Sequence, residues 1–113
     1  MDLVQAVYAA TRDWPRDELY TLTSQIRRAV VSVPSNIAEG QGRSSTKEFL
    51  KHVSIAYGSL MEVETQIIIA QEQGYCSAKQ TEELLELAAE GGRLLNGLAN
   101  SLKRKLQAQT PAH

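Results

Sequence analysis

The apolar positions of this chain fall into helical stripes, and one stripe dominates. Phe49, Val53, Ala56, Leu60, Val63, Ile67 and Ala70 recur at alternating steps of four and three residues. That spacing places all seven side chains on one face of a helix. Ser45-Thr46-Lys47-Glu48 opens the stretch as an S-x-x-E capping box. In such a box the serine hydroxyl accepts from a first-turn amide and the glutamate reaches back to the serine amide. Gly74 closes the stretch, because glycine enters the left-handed region without a Cβ clash. The pattern predicts a central helix of about 28 residues, roughly 40 Å long. A weaker stripe, Leu50, Tyr57, Met61 and Ile68, runs beside the first.

A helix of that length cannot fold alone around one stripe, so the flanking segments must supply its partners. Leu3, Val4, Val7 and Tyr8 predict a short first helix from Leu3 to about Arg12. Trp14-Pro15 ends it, since proline donates no amide and pushes its predecessor out of the helical region. Trp14 is expected as a lid over one end of the fold. From Asp17, the positions Leu19, Leu22, Ile26, Ala29, Val30, Val33, Ile37 and Ala38 predict a second helix ending near Glu39, with Gly40 and Gly42 beyond it. Pro34 lies inside this pattern. An internal proline costs about 3 kcal/mol, which predicts a kink or a break at Val33. Ser32, Ser35 and Asn36 stand ready to satisfy the freed carbonyls.

Ser77-Ala78-Lys79-Gln80 is a second capping box. Only about three residues separate it from Gly74, so the last helix turns back antiparallel on the central one. This last helix carries two stripes. One is Leu84, Leu87, Gly91, Leu94 and Leu98; the other is Leu85, Ala88, Gly92, Leu95, Ala99, Leu102 and Leu106. Two adjacent stripes predict packing both within the subunit and against another copy. Leu85, Gly91, Gly92, Leu95 and Leu102 are the candidate interface residues. Gly91-Gly92 costs about 1 kcal/mol per residue relative to alanine, and close backbone approach at a helix crossing would offset it.

The chain has 113 residues, which predicts one domain over 1–113, with a frayed tail over 108–113. The single cysteine, Cys76, permits no intrachain disulfide, and a reducing cytoplasm is the expected compartment. No apolar run reaches the roughly 18 residues of a membrane span, so no membrane partner is expected. Met1-Asp2-Leu3 lacks a basic region followed by an apolar core, so no signal peptide is expected.

The net charge of −1 creates no global attraction for polyanions, but the charge is segregated. Arg27 to His52 holds five bases (Arg27, Arg28, Arg43, Lys47, Lys51) against two acids. Glu62 to Glu90 holds seven acids against one base, and Arg93 to Lys105 holds four bases and no acid. Lys103-Arg104-Lys105 reads as a helix end, where cations suit the carbonyl terminus. The five bases of the first block are the candidate nucleic-acid contacts. Tyr8, Tyr20, Tyr57 and Tyr75 are scattered at core-like positions, so no stacking platform is evident.

Other chemistry finds little support. A bundle di-metal centre needs Glu-x-x-His pairs; Glu48 and His52 are four apart and His113 lies in the tail. Neither a metal nor another cofactor is expected. Gly40-Gln41-Gly42-Arg43-Ser44 lacks the spacing and Lys-Ser/Thr of a phosphate-binding loop. Cys76 has no histidine near it in sequence, and a turn cysteine is more often structural than nucleophilic. Glu39, Glu62 and Glu64 are the only carboxylates considered for acid–base work. Helical pairing, Glu39 with Arg43 and Glu62 with Gln66, is the commoner role for them. The chain is therefore expected not to be an enzyme.

The run Ser32-Val-Pro-Ser-Asn-Ile-Ala-Glu-Gly-Gln-Gly-Arg43, then Glu48-Phe49, then Ala56-Tyr-Gly-Ser-Leu-Met-Glu-Val-Glu-Thr-Gln66, closely resembles one four-helix-bundle family. Its members were first noticed as products of intervening sequences in bacterial large-subunit ribosomal RNA genes. Leu22 to Ala29 and Gln73-Gly-Tyr75 fit the pattern too, so the resemblance covers nearly the whole chain. Thr21 departs from it, standing where the family is expected to have glycine. The resemblance implies an all-α, antiparallel up-and-down four-helix bundle that assembles into a ring-like homo-oligomer, a pentamer. One relative is the accessory protein of diversity-generating retroelements, which binds nucleic acid and a reverse transcriptase. That relative is strongly basic, unlike this chain. The leading expectation is thus an oligomeric, non-enzymatic binding or scaffold module. The alternative is a nucleic-acid-binding accessory protein.

Overall fold

A computed structural model describes residues 1–109 and contains, among them, four α-helices and one 3₁₀ turn. The helices are α1 (Asp2–Thr11), α2 (Leu22–Gln41), α3 (Thr46–Glu72) and α4 (Ala78–Gln109). The last part of the expected tail, residues 110–113, lies outside the described residues, while Ala108 and Gln109 still belong to α4. α3 packs between α2 and α4, and α1 touches the same two helices from the other side. The product is a rod of 58 × 24 × 19 Å.

The central stripe forms the core seam. Val53, Ala56, Leu60, Val63, Ile67 and Ala70 are all buried, and only Phe49, in the first turn, is half-buried. Both ends of α3 follow their sequence signals. The Ser45 hydroxyl accepts from the Glu48 amide at 3.1 Å. Gly74 adopts φ +81°, its amide donates to Gln71, and the Tyr75 amide donates to Ala70 at 2.9 Å. These two bonds are a Schellman closure, which needs the left-handed glycine. At the start of α4, the Ser77 amide donates to Gln80 Oε1 and the Gln80 amide donates to the Ser77 hydroxyl, both at 3.1 Å.

The second helix differs from expectation at both ends, and at Pro34 the break is excluded. It begins at Leu22, not Asp17; Arg16–Glu18 is a 3₁₀ turn. Thr21 interrupts the helix at φ −120° and ψ −106°, with its hydroxyl turned back onto Glu18. A threonine hydroxyl that finds a local acceptor competes with the helical ladder in this way. Leu19 and Tyr20 are consequently exposed and lie outside the core. Next, α2 runs unbroken through Pro34. Asn36 Nδ2 does donate to a carbonyl, but to Ser32 and not to Val30, whose acceptor the proline leaves free. Finally, Gly40 lies inside α2 rather than after it, because α3 crosses closely there. A Cβ at Gly40 would stand 2.8 Å from both His52 Cβ and Phe49 Cδ1.

Gly91 and Gly92 pack within the chain, but without the close approach expected of them: a Cβ at either would make ordinary van der Waals contact. Their Cβ positions lie 3.5 and 3.7 Å from Leu60 Cδ2. Gly91, Gly92, Leu95 and Leu102 are buried and Leu85 is half-buried in a single copy. The residues expected at an interface between copies are therefore consumed by the bundle's own core.

Candidate nucleic-acid interface

The five candidate bases do not converge. Arg27 is half-buried at the α1–α2 contact, where its Nε donates to Thr11 Oγ1 at 2.9 Å and its guanidinium lies 5.0 Å from the Tyr8 ring centre. It ties α1 to the bundle. Arg28 donates to Ser24 one turn away. It lines a cavity of about 360 Å³ between α2 and α3 together with Ser32, Ser59, Glu62 and Gln66. Arg43, Lys47 and Lys51 lie at the far end of the rod, at the α2–α3 connection, all exposed.

The antiparallel return of α4 brings Lys103 to that same end, where it lines a cavity with Leu50, Val53, Ser54 and Tyr57 of α3. Arg104 and Lys105 follow it, both exposed. The end defined by residues 36–55 and 96–109 thus holds six bases (Arg43, Lys47, Lys51, Lys103, Arg104, Lys105) against two acids (Glu39, Glu48), a net +4. Arg43 pairs with Glu39 at 2.7 Å, with both side chains about half exposed. The opposite end, residues 12–18 and 72–86, holds seven acids against three bases, a net −4. The rod is an electrical dipole. The sequence pattern of Lys103-Arg104-Lys105 reads as a helix end, yet the antiparallel return expected from the short connection is what carries these bases to the α2–α3 end.

At the basic end Phe49 and Tyr57 are half-buried in the bundle, and the other aromatic residues lie elsewhere. Tyr20 is 90% exposed and Tyr8 37%, so neither occupies the core-like position its spacing suggested. Trp14 does cap the acidic end: it is buried, with its ring centre 5.8 Å from that of Tyr75. There Tyr75 OH donates to Glu18 Oε2 at 2.7 Å. Hydrogen bonds from Thr21 and then Tyr75 hold the Glu18 carboxyl below the usual carboxylate range. The same bond, followed by burial, pushes the Tyr75 phenol up. The Glu18 contribution to stability is complete above the ordinary carboxyl pKa and is lost as pH falls through the lowered folded value. The Tyr75 contribution is complete below the ordinary phenol pKa and is lost as pH rises through the raised one. A Tyr75→Phe variant should therefore differ most from the parent in melting temperature between about pH 5 and 9, and the difference should shrink below about pH 4. Burial pushes the Cys76 thiol up, which suits a packed turn residue and not a nucleophile.

The quoted sequence pattern has a structural address. Ser32 and Ser59 hydroxyls meet across the α2–α3 seam at 2.9 Å. Asn36 bonds the Ser32 hydroxyl at 2.9 Å and His52 Nδ1 at 3.1 Å. Gly40 closes the seam under Phe49 and His52. The model of the 23S rRNA-intervening sequence proteins matches residues 1–97. The chain belongs to that family. Its fold is shared by a crystal structure of a protein of unknown function from the S23 ribosomal protein family of Bacteroides thetaiotaomicron. The TM-score is 0.76 and the identity 22%, over 86% of this chain and 90% of that one. No curated protein matches the chain. Among the described residues, no helix of this family member is long and apolar enough to cross a membrane.

Proposed function

We propose that this family member is a non-enzymatic binding module that works as an assembly of copies and engages a polyanion, such as RNA or DNA, through its basic end. The net +4 on one end of the rod carries this reading. A ring of copies standing side by side, five in the arrangement the resemblance implies, would gather these ends on one rim. The gathered field would exceed what a chain of net −1 displays alone. The carboxylates considered for catalysis support a binding role. Glu39 is neutralised by Arg43, and Glu62 stands exposed beside Arg28 and Gln66 in an open groove.

A salt titration tests the reading. Each phosphate contact contributes a slope of about −0.7 on single strands and −0.9 on duplex DNA. Six contacts per copy should thus give a slope of log K against log salt of about −4 to −5. Fluorescence anisotropy with labelled oligonucleotides reads it directly. Absence of binding at 20 mM salt would remove the polyanion from the proposal.

A further inference from the structure

At the basic end of the rod, α3 and α4 leave a cavity of about 380 Å³ between them. That volume lies within the range of pockets that take small ligands. Its wall is apolar: Val53 and Leu95 are buried, and Leu50, Tyr57 and Ala99 are half-buried. Ser54, Asn96 and Lys103 line it too and are exposed, so they form its mouth. Among the described residues none of these three side chains has a hydrogen-bond or ion-pair partner.

The bases lead to this mouth. Lys47, Lys51 and Ser54 follow one another at steps of four and three, so they share one face of α3. Asn96, Ala99 and Lys103 share one face of α4 at steps of three and four. Ser54 and Lys103 both line the cavity, so the two rows meet there. A strand of phosphates held by Lys51 on one helix and Lys103 on the other passes across the opening. An apolar cavity under a line of phosphates suits a ligand that is charged along its length and carries flat apolar groups to one side. A single-stranded nucleic acid has that form, because each unpaired base offers two apolar faces and a polar edge. A duplex does not, because its bases are stacked and paired and extruding one is costly.

Given the polyanion reading above, on which this rests, we infer that the cavity takes one unpaired base of a single-stranded nucleic acid. The faces of the base lie against Leu50 and Tyr57 of α3 and Leu95 and Ala99 of α4. The Asn96 amide and the Ser54 hydroxyl meet its polar edge, where an amide supplies both a donor and an acceptor. Lys51 and Lys103 hold the phosphates on either side. Tyr57 is held half-buried in the bundle, so the site is a slot for one base and not an exposed stacking surface.

Fluorescence anisotropy with two labelled single strands of equal length separates the base from the phosphates. One is oligothymidylate, and the other is the same backbone with abasic sites throughout. The abasic strand should bind about tenfold more weakly, the scale of one base stacked on a side chain. Its salt slope should be the same, since a buried base releases no counterions. Ala99→Leu fills the cavity from α4. It should abolish the difference between the strands and leave the affinity for the abasic strand unchanged. Ser54→Phe, at an exposed position on the α3 side, should do the same, and it carries the test where Ala99→Leu loses its helical circular dichroism. Equal binding of the two strands by the parent protein overturns the base slot and leaves polyanion binding standing. A folded Ala99→Leu or Ser54→Phe chain that still tells the strands apart also overturns the slot. Decanoate that shifts the Ala99 methyl resonance while both strands bind alike assigns the cavity to an acyl chain instead. Binding of duplex DNA and of neither single strand overturns the slot alone. Absence of binding by all three at low salt overturns both readings.

Discussion

Truncating Leu60 to alanine should cost about 3–5 kcal/mol, among the largest losses any single core position can produce. Leu60 is fully buried at the middle of the α3 seam, and both Gly91 and Gly92 of α4 rest on its methyl groups. Glycines offer no side chain that could swing into the space, so the cavity stays open. For a domain of about 100 residues, each kcal/mol shifts the melting temperature by about 4 °C, which predicts a fall of about 12–20 °C. The contact itself can be checked with a second change. Gly91→Ala places a methyl group 3.5 Å from the present Leu60 Cδ2. In the parent it should add about 1 kcal/mol of helix propensity and no more. In the Leu60→Ala background it should recover at least about 0.5 kcal/mol beyond that, because it also refills part of the cavity. Additive urea-melt energies for the two changes would refute the packing described for Leu60.

The second large effect is on binding. Lys47→Glu, Lys51→Glu and Lys103→Glu together turn the basic end from net +4 to net −2. If each base holds one phosphate, the loss of three contacts weakens duplex binding about 500-fold at 0.1 M salt and lowers the salt slope by about 3. Fold stability should barely change, since all three side chains are exposed. Lys79→Glu, at the acidic end, is the control and should leave affinity close to the parent's. Equal effects of the control and the triple variant would mean that net charge, not the basic end, governs binding. Arg27→Ala should behave differently again. It should loosen α1, through the lost Thr11 bond and the lost contact with Tyr8, with little effect on the salt slope.

Local signals in the chain determined the elements of this fold. The 4-3 spacing of α3, the two serine caps and Gly74 each act within a few residues, through backbone geometry and the burial of one stripe. They placed α3 and the start of α4 to within a residue or two. The sequence alone also determined that charge is segregated along the chain. It did not determine which residues share a surface. Lys103 joins Lys47 and Lys51 only because α4 folds back on α3. Arg27, adjacent to them in the charge count, is drawn away to hold α1. The glycines show the same division. Periodicity marks Gly58, Gly91 and Gly92 alike as helical positions, and places Gly40 just past the end of α2. Only the packing of one helix on another decides that Gly40, Gly91 and Gly92 face the chain's own core while Gly58 faces open space. The physical reason is that a helix's period sets which residues share its faces, whereas the identity of the facing surface depends on neighbours dozens of residues away.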